Sequence, residues 1–218
     1  KYLAFIVTLF FVGSVQSQIP DLMPLPAKYT INNKDFSINT SFKIEIQGDA
    51  NERVYKEASR FFQRVAERTG LFFKTWMVDE GSKLSGRGLL IKIKSKGKLA
   101  LGMDESYSLQ IDQAQILLSA NNDIGAIRGL ATLIQLIGAD QQGYYFKGIA
   151  IEDEPRFTWR GLLVSQPYHF MPMDVIKRTI DAMAAVKMNV LHFYISDDQG
   201  YRIESKVYPR LHQLASDG

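Results

Sequence analysis

Cysteine is absent from all 218 residues. Without thiols the chain forms no disulfide and carries no cysteine-linked lipid, so its stability must come from burying a core. One-signed charge is also scarce: 26 Lys and Arg stand against 23 Asp and Glu, and no arginine-rich or lysine-rich block breaks the sequence. That balance excludes a phosphate-tracking surface, and with it nucleic acid as an expected partner. No HExxH motif occurs, which removes a zinc protease from consideration. Internal repeats and low-complexity tracts are missing as well. What remains, 46% hydrophobic and 22% charged residues, is the balance of a globular protein with room for one large domain or two ordinary ones.

Long hydrophobic runs are missing except at the start, where Lys1 and Tyr2 precede an unbroken apolar stretch over residues 3–11, extended through Val12 and Val15 to the small residue Ser17. An apolar core of about a dozen residues is short for a bilayer span, and Val15 and Ser17 stand where a signal peptidase requires small or apolar side chains. Residues 1–17 therefore read as a signal peptide removed before Gln18, with export to a periplasm or the medium and no membrane association afterwards. A buried N-terminal element is the alternative, and it would need cover for Phe5, Ile6, Leu9, Phe10 and Phe11 on all sides. Absence of cysteine suits a bacterial exported protein. Asn39-Thr40-Ser41 is a glycosylation triplet of the kind that also arises by chance.

Residues 18–152 mix short strands with two helices and read as an α+β domain. The first helix spans residues 51–69, with Val54, Ala58, Phe61, Phe62 and Val65 on one stripe and Gly70 as a stop. The second spans residues 122–137, with Ile127, Leu130, Ala131, Ile134 and Ile137 inward and Gly138 closing it. Strands are expected at residues 89–93, 107–111 and 116–118, the last two joined by a hairpin-length connection over residues 112–115. Lys92, Lys94, Lys96 and Lys98 alternate with other residues as the wet face of a strand does, rather than forming an anion site.

The charged, proline-containing run Glu152-Asp153-Glu154-Pro155-Arg156 marks a boundary, after which the pattern becomes strand (161–164), helix (173–187) and strand (189–195). Val175, Ile176, Ile180, Met183 and Ala184 form the helix's apolar side. Functional side chains of such right-handed units collect just past the strand ends, here residues 165–169 and 196–201. At the second end Asp197 and Asp198 are adjacent, and two neighbouring carboxylates repel unless they serve different partners. Asp198 suits a turn cap ahead of Gly200, leaving Asp197 as the candidate ligand-facing group. His169 and His192 read as scaffold hydrogen-bonders, Phe157 and Trp159 as packing at the junction, and Met171, Met173, Met183 and Met188 as core fillers.

Several motifs in this half form a recognisable string: Pro155-Arg156-Phe157-Thr158-Trp159-Arg160-Gly161-Leu162, His169-Phe170-Met171-Pro172, Lys187-Met188-Asn189-Val190-Leu191-His192 and Asp197-Asp198-Gln199-Gly200-Tyr201-Arg202. The stretch from Pro155 to Gly218 closely resembles family 20 glycoside hydrolases, the β-N-acetylhexosaminidases. Pro24-Leu25-Pro26, Asp104-Glu105-Ser106-Tyr107-Ser108-Leu109 and residues 125–133 resemble the small α+β domain that precedes the barrel in that family. The resemblance implies an α+β front domain, a sheet with two helices, followed over residues 153–218 by the first strand-helix-strand part of a TIM (β/α)8 barrel. That barrel is expected to be truncated, since a whole one takes roughly 250 residues.

The resemblance further implies cleavage of a terminal β-linked N-acetylglucosamine or N-acetylgalactosamine from glycans, the substrate's own acetamido oxygen attacking the anomeric carbon, with no cofactor and outside the usual two-carboxylate scheme. An Asp-Glu pair at a later strand end would orient the acetamide and protonate the leaving oxygen. Asp79-Glu80, Asp104-Glu105 and Asp153-Glu154 do not match its place. The catalytic pair is therefore expected beyond Gly218, and this stretch alone is expected to lack catalysis. Substrate positioning is what carries over, and here the sequence departs from the family. Ser165 stands at an aspartate place, Pro167 at a serine place, Tyr168 at the place of a sugar-clamping arginine and Tyr194 at a histidine place. Asp197, the arginine's usual partner, is retained. Asp197 and Tyr168 are therefore the candidate substrate-binding residues, and the departures suggest altered specificity, a non-catalytic amino-sugar binder or lost activity.

Overall fold

The computed structural model describes residues 20–74, 77–198 and 200–216. The expected signal peptide, residues 1–17, lies outside the described residues. So does Gly218, past which the catalytic pair is expected, so the described residues hold no counterpart of that expectation. The first half is built on a six-stranded mixed sheet in the order β1-β9-β5-β6-β4-β3, where β1 is Lys28–Ile31, β3 Ile44–Gly48, β4 Leu89–Ser95, β5 Tyr107–Ile111, β6 Ile116–Asn122 and β9 Ile149–Asp153. Strands β3, β4 and β6 run parallel, and β5, β9 and β1 continue the sheet antiparallel. A second sheet joins β2 (Phe36–Ser37), β8 (Gly143–Phe146) and β7 (Ile137–Asp140) in that order.

Two helices cover one face of the large sheet. Helix α1 (Glu52–Thr69) begins at Asn51, whose side chain accepts from the N–H groups of Arg53 and Val54, and ends where Gly70 adopts φ 66°. The stripe Val54, Ala58, Phe61, Phe62 and Val65 is buried as the spacing requires. Helix α2 (Asp123–Leu133) starts one residue after β6, because Asn122 ends the strand and caps the helix. It sits so close to the sheet that a Cβ on Gly125 would lie 2.2 Å from the Ser106 carbonyl oxygen. Phe42, Phe61, Phe62 and Phe146 gather between the helices and the two sheets, with Phe146 5.7 Å from Phe42 and 6.2 Å from Phe61 between ring centroids.

The second helix is shorter than its apolar pattern suggested. It passes at Leu133 into a 3-10 turn, Ile134–Leu136, and Ile137 already belongs to β7. Gly138 is no helix stop; it lies in β7 directly beneath the Tyr145 ring. The buried face is Ala126, Leu130, Leu133 and Ile134, while Ile127 and Ala131 are only partly covered, so the inward stripe is rotated from the expected one. Lys92 and Lys94 project from the uncovered face of β4, as alternation required, whereas Lys96 and Lys98 lie past its end at Ser95 and belong to no strand. The supposed linker also gives up two residues, Glu152 and Asp153, to β9.

Beyond residue 153, β10 (Gly161–Ser165), α3 (Met173–Ala185) and β11 (Val190–Tyr194) form a strand-helix-strand unit whose strands pair in parallel, Gly161 opposite Val190 through Ser165 opposite Tyr194. Of the expected apolar side of α3 only Met183 is buried; Val175 and Ile176 are half-covered and Ile180 is exposed, because among the described residues two strands supply its cover. Phe157 and Trp159 are 68% and 59% exposed, and Met173 is exposed too, so none of these three packs as a core side chain.

Buried charges join the two halves. Glu105, two residues ahead of β5, accepts from Arg128 Nε of α2 and from Arg160 Nη2 just before β10, each at 2.6 Å and on the same carboxylate oxygen. Arg160 Nε also donates to the Lys187 carbonyl, and Asn189 Oδ1 accepts the Arg160 N–H. Lys187, only 5% exposed, donates from Nζ to Asp153 Oδ2 at 2.7 Å and to Tyr107 Oη at 2.8 Å. Burial holds the Lys187 amine below its ordinary value, against the pull of Asp153. Burial alone would push the Glu105 carboxyl up, but the two guanidiniums outweigh it and hold it below the usual carboxylate value.

Candidate functional site

The C-terminal ends of β10 and β11 lie side by side, so the segments leaving them share one rim. The pairing runs one step past the strand, with the Gln166 N–H donating to the Tyr194 carbonyl at 2.8 Å. Gln166 Oε1 then accepts the Met171 N–H at 2.9 Å, pinning the 166–171 loop that carries Tyr168. After β11 the chain forms a short antiparallel ribbon, β12 (Ser196–Asp197) against β13 (Gly200–Tyr201), with Asp197 opposite Gly200. Asp197 is thereby presented to the same rim.

Three side chains meet there. The Tyr168 hydroxyl donates to Asp197 Oδ2 at 2.7 Å, and the Tyr194 hydroxyl donates to the same oxygen, also at 2.7 Å. Oδ1 accepts the Asp198 N–H at 2.8 Å. These hydrogen bonds favour the charged form and bring the Asp197 carboxyl down to about 2. The carboxylate in turn pushes the Tyr168 hydroxyl up to about 12 and the Tyr194 hydroxyl upward as well. All three groups keep fixed protonation across the neutral range, so none of them is poised to pass protons there.

The structure brings both candidate residues together and adds Tyr194, which the sequence marked only as a departure. Among the described residues no backbone N–H is capped by Asp198: its side chain is exposed, and its own N–H donates to Asp197 Oδ1. His169 and His192 are exposed, not locked into a scaffold, and the His192 ring meets Tyr194 edge-on with centroids 6.4 Å apart. The Arg202 guanidinium stands 5.8 Å over the Phe170 ring and donates to the Ser216 carbonyl. Ser165 lies opposite Tyr194, and its buried Oγ finds no hydrogen-bond partner among the described residues.

None of the Asp-Glu pairs sits at this rim. Asp79 accepts from Ser82, Asp104 from Ser106 and Asn121, and Glu105 and Asp153 are committed to the buried network. A cleft of about 690 Å³ on the uncovered face of the large sheet is lined by Lys92, Lys94, Ser108, Ser119, Asn121 and Glu152, none of which belongs to the rim. Among the described residues no three His, Cys, Asp or Glu cluster as a metal site, and no helix is long and apolar enough to cross a membrane.

A helix-covered mixed sheet is thus joined by buried charges to a parallel strand-helix-strand unit, at whose strand ends Asp197 accepts from Tyr168 and Tyr194. Residues 157–218 match the catalytic domain of glycosyl hydrolase family 20, and residues 22–136 match the "beta-acetyl hexosaminidase like" domain. The chain belongs to glycoside hydrolase family 20. β-Hexosaminidase 1 of Arabidopsis thaliana is 31% identical, across 94% of this chain and 43% of that protein. The solved Flavobacterium johnsoniae chitobiase superposes with a TM-score of 0.83 at 42% identity, across 90% of this chain and 30% of that one. A variant Streptomyces plicatus β-hexosaminidase in complex with its product GlcNAc superposes with a TM-score of 0.70 at 26% identity, across 89% and 38%. The chain thus spans less than half the length of these relatives.

Proposed function

We propose that the intact protein hydrolyses terminal, non-reducing β-linked N-acetylhexosamine residues of glycans, using the substrate's acetamido oxygen as nucleophile and no cofactor. Residues 153–218 open a (β/α)8 barrel in this reading. Later strands of the intact protein, past Gly218, close the barrel and bring the Asp-Glu pair that orients the acetamide and donates the proton. The present stretch positions the sugar, through Asp197 and Tyr168 with Tyr194, and by itself does not cleave. The observation that carries the reading is the Asp197 carboxylate, kept ionised at the joined strand tips by two hydroxyl donors in a chain of this family. The apolar run over residues 3–11 and the lack of cysteine support export to a periplasm or the medium.

A second reading, an amino-sugar-binding relative without turnover, is favoured by Ser165, Pro167 and Tyr168 at places where the resemblance implies sugar-contacting residues. One experiment separates the two: the full-length protein is assayed for aglycone release from a chromogenic N-acetyl-β-glucosaminide and for equilibrium binding of N-acetylglucosamine. Release supports hydrolysis. Binding without release supports the second reading, and neither release nor binding sinks both.

A further inference from the structure

The direction of the hydrogen bonds at the rim limits what can bind there. A tyrosine hydroxyl has one proton to give. Tyr168 and Tyr194 both give theirs to Asp197 Oδ2, each at 2.7 Å. Asp197 Oδ1 already takes the Asp198 N–H. The capacity left on these three side chains consists entirely of lone pairs: on the two hydroxyl oxygens and on Oδ1. Tyr168 is 65% exposed, so a ligand can reach its side chain. The two tyrosines are also the residues that replace a cation and a histidine in the pattern the sequence resembles. Their convergence on one oxygen makes the two departures a single unit. An arginine beside Asp197 would offer charged donors and balance its charge; these two neutral hydroxyls offer acceptors and do not balance it. Asp198, exposed beside it, adds a second carboxylate.

We propose that Tyr168, Tyr194 and Asp197 form a specificity element that receives hydrogen-bond donors: it holds a terminal sugar with free hydroxyls and turns away one carrying a sulfate ester. A free sugar hydroxyl supplies the proton that each lone pair needs. A sulfate ester removes that proton and brings a negative charge against Asp197, so it loses the bond and meets repulsion together. The low position of the Asp197 carboxyl, about 2, keeps this repulsion in force at any pH near neutrality. The inference rests on the reading of the rim as the sugar-positioning part of a hexosaminidase.

The test uses the full-length protein and four chromogenic N-acetyl-β-glucosaminides: the unmodified compound and its 3-, 4- and 6-O-sulfates. The expected result is a kcat/KM at least roughly 10²-fold lower for at least one sulfated compound than for the unmodified one, as a site built to bond a hydroxyl rejects analogues lacking it. Tyr168→Phe and Tyr194→Phe should each raise KM for the unmodified sugar about tenfold with kcat nearly unchanged, the cost of one hydrogen bond. Asp197→Asn, which substitutes a neutral amide with protons to give, should shrink the sulfate discrimination at least tenfold. Equal handling of all four compounds by the native protein overturns the proposal, as does a discrimination that Asp197→Asn leaves untouched. If no compound is cleaved, the hydrolysis reading falls, and the same ratios are read from equilibrium binding of N-acetylglucosamine and its sulfates. Rejection of a sulfate there still supports the proposal; binding of neither sugar overturns it.

Discussion

Replacing Glu105 by glutamine would test whether buried charge holds the two halves together. The carboxylate is 3% exposed, and one of its oxygens is 2.6 Å from Arg128 Nε and 2.6 Å from Arg160 Nη2, side chains that are themselves only 13% and 15% exposed. Glu105→Gln keeps the shape and one weak acceptor but leaves two guanidiniums close together with no charge between them. Breaking a buried pair in this way costs on the order of 3–5 kcal/mol, because the desolvated partner is left uncompensated. For a body of this size that corresponds to a fall in Tm of about 6–20 °C. Thermal and urea unfolding of the full-length variant would measure it. The carboxyl's folded pKa is depressed, so its stabilisation is complete above the unfolded value of about 4.3 and disappears as pH falls through the lower folded value. The gap between native and variant should thus be constant from pH 6 to 8 and narrow under acid. Combining Glu105→Gln with Arg128→Met should cost less than the sum of the two single changes. A loss below about 1 kcal/mol, or a gap that widens in acid, would refute the reasoning.

Three further outcomes are expected. Phe146→Ala should cost about 3–5 kcal/mol, read as a lower urea midpoint at unchanged slope, because the ring is fully buried between Phe42 and Phe61. Gly125→Ala should destabilise despite a helix-propensity gain of about 1 kcal/mol, since its new methyl would sit 2.2 Å from the Ser106 carbonyl oxygen, a backbone atom that cannot turn aside; a higher Tm would contradict this. Sugar affinity should be flat from pH 5 to 8, because Asp197 titrates at about 2 and Tyr168 at about 12, and binding weakens only as acid protonates Asp197. A midpoint inside that range in an isothermal titration series would show that another group controls the rim.

Local punctuation made part of the fold legible in the sequence. Asn51 and Gly70 bracket α1, and the stripe between them is buried as spaced. The hairpin over residues 112–115 was readable for the same reason, Asp112 Oδ1 accepting from the N–H groups of Ala114 and Gln115. The end of α2 was not, because an apolar 3-10 turn continues the helix pattern and Gly138 imitates a stop while serving a strand against Tyr145. At the rim, the pairing of Asp197 with Tyr168 could be anticipated because both align with family motifs. Tyr194 was missed as a partner although it lies three residues from Asp197, since neither periodicity nor motif says which way a strand-end hydroxyl donates. The buried network was invisible for a plainer reason: Glu105 meets Arg160 across 55 residues and Lys187 meets Tyr107 across 80, and charged residues carry no local sign of being buried.

Strand β9 lies between β1 and β5, so the large sheet is closed by its last strand in chain order rather than by a neighbour in sequence. Until residues 149–153 have been made, β1 has no partner and the outer edge of β5 stays open. The large sheet is therefore completed by the five residues that precede the strand-helix-strand unit. The final residue of that closing strand, Asp153, is also the one that takes Lys187. Sealing the sheet thus also sets in place the carboxylate that anchors the first turn past α3, beside the Glu105–Arg160 pair that joins the same two halves.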